Sequence, residues 1–402
     1  MKINILSTLV LTFSVPTFSL HAVPFTWEGD DATNPTWFGV NANWLEGTAP
    51  NFNNYFVLPS GAASKTIDMV NSSGVSLFRT GVQGVNFEDA GWVIQDTVGD
   101  GSGGWRYDFN GSAASIGSQP FGINSSGVGV NEIKARFQFT STNVPDTGQP
   151  NRPITVNTGN TLLFSGIYQD GQAWTLQGEG TMVVNNTNDN RNNSFNAGLT
   201  MNDNTTLLNR GNMQIAQSNL ALNNGVIGGD GTWYGRNSST VTFEGTTLAP
   251  GGDGSAVGGA EVGDLTWMSG SAGSLTRLAI GATGIFEAYI GSGGAGDNAR
   301  LLLDLDGGTF NIESGATLNI AGSTIQDGTY TIILDTDDTA DFTGTFSSVL
   351  FNGVAADPEN FTVNYGVDAI TVDVTGQVPE PQTYAMLAGL GCLLFAIARR
   401  RC

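Results

Sequence analysis

One short unit, Gly-x-Thr-apolar-x-apolar, recurs along the chain and restricts what it can fold into. GGTFNI (307–312) is followed by GATLNI (315–320), and GEGTMVV (178–184) has a counterpart in GDGTWYG (229–235). Glycine supplies a tight turn, and threonine with β-branched neighbours suits a pleated, half-buried surface. Between 23 and 377 no stretch sustains a 3.6-residue apolar period. Short alternations stand there instead, such as Thr161–Phe164, Thr181–Val184, Thr240–Phe243 and Thr371–Val374, each bounded by Gly, Asn or Asp. With 56 glycines in 402 residues, about twice average usage, long helices are disfavoured. The expected class is all-β. A unit that completes its core against the next copy reads as one rung of a solenoid. The period is not strict, so a pair of β-sandwiches is the alternative. Asn-rich runs such as NNTNDNRNNSFN (185–196) read as loops leaving the stack.

Charge and reactive residues exclude several functions. The body, 23–377, carries 11 basic and 35 acidic residues, a net of −24. Such a surface repels nucleic acid and anionic lipid, so no nucleic-acid partner is expected. Both cysteines, Cys392 and Cys402, lie in the final segment, and the one histidine, His21, lies near the start. The body therefore offers no imidazole or thiol for Ser-His-Asp or Cys-His catalysis, and none of the usual zinc ligands.

The two ends differ from the body. Residues 1–22 place Lys2 before an apolar run from Ile3 to Val15 and close on Leu20-His21-Ala22, the layout of a secretory signal peptide with Ala22 before the cut. At the other end, Tyr384 to Ala398 is apolar and uncharged, with Arg399, Arg400 and Arg401 behind it. As a helix it would span roughly 22 Å of a ~30 Å hydrocarbon core, with snorkelling arginines and local thinning covering the rest. The arginines would stay in the cytoplasm and the exported body outside. Pro379 and Pro381 cannot continue that helix N-terminally, which leaves Pro-Glu-Pro extended and accessible.

Val378-Pro379-Glu380-Pro381, a short apolar helix and an arginine cluster, in that order and at the terminus, resemble the PEP-CTERM sorting signal of exported proteins of Gram-negative bacteria. Many of those proteins belong to exopolysaccharide-producing cells. The resemblance implies an exosortase-type enzyme that removes the tail and releases or transfers the protein. Cys402 after the arginines departs from the pattern, and an ordinary tail anchor would share the topology without being cut.

A second resemblance covers about half the body. TVTFEGTTLAPGGDG (240–254), with Thr247-Leu248-Ala249-Pro250-Gly251, the segment 281–320 and the segment 327–353 look like the C-terminal part of autotransporter-type passenger domains. TWEGDDATNPTWFGVNANWLEGTAPN (26–51), with Trp27, Trp37, Trp44 and Pro50, resembles the unit that opens many of them. This resemblance implies a right-handed parallel β-helix. The chain carries no amphipathic strands for an outer-membrane barrel, so self-transport is not implied.

Three candidate sites stand out. Paired carboxylates could support glycosidase chemistry: Asp304 and Asp306 are placed on one strand face with Leu302, Leu303 and Leu305 around them, and DTDDTAD (335–341) is a denser cluster. The structural reading makes Asp306-Gly307 a strand-ending turn and 335–341 a solvated loop. GGAGDN (293–298) approximates a calcium-roll repeat, but its aspartate falls one place early and the motif occurs once. Trp27, Trp37, Trp44, Trp92 and Trp105 could stack on sugars, or cover the open first end of a solenoid.

The expected organisation is a signal peptide (1–22), a Trp-rich N-terminal β region with cap and first rungs (23–150), a solenoid region (151–377) and the sorting signal (378–402). The expected function is that of a non-catalytic structural or adhesive protein of the envelope or exopolysaccharide matrix. It is exported, held in the inner membrane by its C-terminal helix and passed to the exterior, with no cofactor beyond weak, non-specific divalent cation binding. The alternatives are a polysaccharide-active β-helix enzyme and a carbohydrate-binding protein.

Overall fold

A computed structural model describes residues 24–50, 55–71, 73, 81–82, 84–97, 107–109, 122–135, 137–139, 152–166, 168–170, 174–186, 194–195, 198–215, 219–235, 239–251, 262–269, 275–294 and 296–376. The expected signal peptide, Trp105, most of the Asn-rich run and the C-terminal helix with its flanks lie outside them.

The described residues form short strands that return to the same sheet every third strand. The first face opens as a seven-stranded sheet from Pro24–Thr26 to Leu199–Met201, and a five-stranded sheet from Asn219–Leu222 to Asp341–Gly344 takes its place in the strand order. The second face is one 13-stranded sheet from Trp37–Gly39 to Val354–Ala355. The third begins with four strands, Gly81–Val82 to Tyr168–Asp170, and continues in an eight-stranded sheet that opens at Ser194–Phe195. Strand pairing is parallel except near the end of the described chain. A β-sandwich would pair its strands antiparallel; a three-sided parallel stack is what these residues build. The four alternations read from the sequence all lie within strands.

The Gly-x-Thr unit is smaller than a rung. Thr309–Ile312 and Thr317–Ala321, the strands of the GGTFNI and GATLNI copies, sit on different faces. Each unit therefore turns one corner and lays down one side. The true repeat appears in the register of the second face, where Thr247, Ile285, Thr317 and Ser348 stack in succession. An eight-residue echo cannot circle a three-sided core, and loops of unequal length between the sides blur the longer period.

One continuous apolar core runs through the stack from Trp27 to Val374. Parallel, in-register pairing puts like beside like: Trp233 lies directly under Trp267, with rings stacked at 5.1 Å and 8°. Leu248, Phe286, Leu318 and Val349 form a column on the second face, the first three fully buried. Polar ladders follow the same register. On the first face Asn124 Nδ2 donates to Asn86 Oδ1 at 2.6 Å, and Asn157 Nδ2 to Asn124 Oδ1 at 3.4 Å. Inside, Asn131 donates to Ser125 Oγ and Ser125 to Asn160 Oδ1, so the buried amides are paired.

A stack of parallel strands exposes unpaired backbone at both ends, and the two ends are closed differently. At the first, Trp27 and Trp44 pack edge to face at 4.9 Å, with Phe38 and Phe56 around Trp44. Trp27 Nε1 donates to the Ser64 carbonyl and Trp44 Nε1 to the Phe38 carbonyl, each at 2.9 Å. The outer edge of Pro24–Thr26 is met by the chain itself: Leu45 N–H donates to the Thr26 carbonyl, and the Glu46 carboxylate accepts from Thr26 N–H. At the other end the direction reverses. Gly328–Asp335 pairs antiparallel with Ala369–Val374, which pairs antiparallel with Phe361–Tyr365. Ser348–Phe351 turns back on Val354–Ala355 through Asn352-Gly353, both at positive φ (49° and 79°), as a two-residue hairpin of the primed type requires.

Candidate functional site: a sorting tail beside an acidic junction

The residues predicted to carry sorting, Val378 to Pro381, Tyr384 to Ala398 and Arg399 to Arg401, and the predicted cleavage residue Ala22, all lie outside the described residues. The described chain stops at Gly376, just past the antiparallel closure, so the sorting segment leaves from the end where the stack is finished by reversed strands.

Just inside that end the acids singled out in the sequence come together, in an arrangement different from the expected one. Arg300–Asp304 points Leu301, Leu303 and Leu305 into the core, with Leu302 and Asp304 half-buried on the other side. Asp306 does not share a strand face with Asp304. It has turned the corner, with φ 48° in the left-handed region that short polar side chains tolerate. The 335–341 segment also departs from a solvated loop at its first residue, because Asp335 ends the strand Gly328–Asp335 pointing inward and is 2% exposed.

The turns of successive coils are knitted through these carboxylates. Asp335 Oδ2 accepts from Ala340 N–H at 2.8 Å. Asp337 Oδ2 accepts from Thr339 Oγ1 at 2.7 Å and from Asp306 N–H at 3.2 Å, one coil away. Gly307 N–H donates to Thr339 Oγ1. Asp337 lies within hydrogen-bonding reach of both Asp335 and Asp304. Burial and the Asp337 charge push the Asp304 carboxyl above the usual carboxylate range, and burial with the hydrogen bond to Asp337 does the same to Asp335. For Asp337 burial works upward, but hydrogen bonds from Thr339, Asp335 and the Asp306 N–H outweigh it and hold the group below that range.

Chemically this is a structural knot more than an open pair of catalytic acids. Asp335 is closed to substrate, and one oxygen of Asp337 already serves two donors. Sequence reading found the cluster and missed the inward turn of Asp335; the apolar run Ile332-Ile333-Leu334 signals a strand, but Ile332 and Ile333 are both buried, and this break in the alternation hides which way Asp335 points. Among the described residues no group of three or more His, Cys, Asp or Glu is placed to hold a metal ion. In the 293–298 motif, the Asp297 carboxylate accepts from Gly293 N–H at 2.5 Å and so ties its own loop. Trp27, Trp44 and Trp92 are core residues and cannot stack on a sugar, while Trp37 is half-buried. Among the described residues no helix is long and apolar enough to cross a membrane.

Comparison with known families gives a match at the C-terminus. Residues 377–401 match the PEP-CTERM protein-sorting motif, which takes in all of Val378 to Arg401. No curated protein and no solved structure matches the chain. The tail thus carries a PEP-CTERM sorting motif, which implies export, membrane-associated processing and recognition by an exosortase-type enzyme.

Proposed function

We propose that the protein is an exported, non-catalytic structural or adhesive component of the cell envelope or exopolysaccharide matrix. The observation that carries this reading is the sorting motif at 377–401 behind an all-β parallel stack. A leader over 1–22, cut after Ala22, sends the body outward. Tyr384 to Ala398 then holds it in the inner membrane, with Arg399 to Arg401 in the cytoplasm and Val378-Pro379-Glu380-Pro381 presented to the processing enzyme. The body works as a stiff acidic ladder whose carboxylates and amides meet cations and glycans. Among the described residues several of its scarce bases are paired with acids: Arg300 with Asp264 through two hydrogen bonds, Arg277 with Glu313 and Lys65 with Asp89. The outward charge is therefore largely acidic.

A polysaccharide-active enzyme is the second reading, favoured by the convergence of Asp304, Asp306 and Asp337 at one turn. Fractionation of producing cells with and without the exosortase-type enzyme tests the first reading. The protein should move from the surface or matrix fraction to the inner membrane when the enzyme is removed; an unchanged distribution would defeat it. Hydrolysis of matrix polysaccharide by purified protein, abolished in Asp337→Asn, would favour the second.

A further inference from the structure

Two solvent-excluded carboxylate oxygens at the last coil lack a well-aligned donor. Asp335 Oδ1 and Asp337 Oδ1 are both shut off from water and have no well-aligned donor, although the two carboxyl groups lie within hydrogen-bonding reach of one another and the Asp337 and Thr339 N–H groups approach them. Two ionised carboxylates in that position would repel with no water between them, and a buried acceptor without a donor is costly. One proton resolves both faults, since a protonated carboxyl donates to the neighbouring carboxylate.

The location gives the proton a mechanical consequence. Asp335 N–H donates to the Asp368 carbonyl at 2.8 Å, joining the last full strand of the third face to the antiparallel closure. Its Oδ2 holds Ala340 N–H and so the loop leading to Asp341–Gly344. The groups facing Asp335 are Asp337 on its own loop, the Ala340 N–H and, through its carbonyl, Asp368; Asp304 and Asp306 from the coil below bear on Asp337. Among the described residues the charges that bear on this cluster are acidic, and no base neutralises it.

We propose that Asp335 and Asp337 bind a single proton between them, and that this shared proton latches the final coil to the antiparallel cap from which the sorting tail departs. The directions of titration agree. Asp335 is raised, so its contribution is present at low pH and is lost as pH rises through its folded value. Asp337 is lowered, so its contribution is present above the ordinary carboxylate value and is lost only as pH falls through its folded value. Between the two values one proton is held and the latch is closed. Above them both groups ionise, with Asp304 adding a third charge, and the junction loosens.

Carboxyl carbon NMR of the full chain in detergent, read with amide hydrogen exchange at Ala340 and Asp335, tests this. Asp335 should titrate above the usual aspartate range and Asp337 below it. Protection at the two amides, corrected for intrinsic exchange, should fall on the order of tenfold for each unit by which Asp335 is raised. In Asp335→Asn, whose amide donates permanently to Asp337, protection should no longer vary with pH. Titration of Asp335 at or below the ordinary range would overturn the latch, as would an unchanged pH dependence in Asp335→Asn. Calcium restoring protection at high pH, with no titration of Asp335, would overturn it in favour of a metal. Should Asp335→Asn fail to fold, the wild-type carboxyl titration still decides.

Discussion

The two ends of the stack solve one problem by different physics. The first strand of a parallel stack has no neighbour below and the last has none above, so each would offer an open edge to another chain. At the start the solution is mass: Trp27, Trp44, Phe38 and Phe56 are packed edge to face, with Asn43 buried among the turns. At the finish it is mainly geometry: the chain reverses and pairs antiparallel through demanding turns at Asn352-Gly353 and Gly344, with Phe351 stacked on Phe361 and Phe346 packed beside Tyr365. The first end should therefore fail when a large side chain is removed, and the second also when backbone freedom is removed.

Substitutions at each end can break that contrast. The largest loss is expected for Trp44→Ala, which empties the centre of the aromatic plug and should cost roughly 3–5 kcal/mol in denaturant unfolding. Gly344→Ala should follow at roughly 2–4 kcal/mol. Gly344 sits at φ 80°, and an added Cβ would lie 1.8 Å from the Ile312 carbonyl oxygen, so strain and overlap combine. Asn43→Ala removes an amide that donates to the Asn34 and Trp37 carbonyls and accepts from Asp31 N–H, which should cost about 1–3 kcal/mol. Gly353→Ala should cost only about 1 kcal/mol, since its φ is positive but nothing lies near its missing Cβ. Equal losses at Gly344 and Gly353 would mean that steric overlap plays no part. Arg277→Gln, which breaks a half-exposed pair with Glu313, should change stability by about 0.5 kcal/mol or less, and less still in high salt.

The same contrast bears on what could be read in advance. The N-terminal closure was legible in part: of the tryptophans crowded near the start, Trp27 and Trp44 form the plug, while Trp105 lies outside the described residues. The strand class was legible because Thr and β-branched residues alternate between turn residues in many of the strands, such as Thr240–Phe243 and Thr371–Val374. The coil length was not, because the conspicuous echo at 307–320 marks corners within one coil. The C-terminal closure was signalled only by Asn352-Gly353, a two-residue hairpin cue that escapes notice inside a repeat. Asp335 was misplaced because DTDDTAD reads as solvated, and no local rule says that the first aspartate of such a run completes an inward alternation. The tail was legible for a different reason: sorting signals are read by other proteins as extended sequence, so their information is local.

The central claim is that this parallel β stack is exported and then parted from its sorting tail. Intact-mass spectrometry of the protein recovered from the surface or matrix of producing cells tests it most directly. The mass should correspond to a chain that begins at Val23 and lacks the apolar segment from Tyr384 onward. Recovery of the unprocessed chain from Met1 to Cys402 in the cytosol would contradict it.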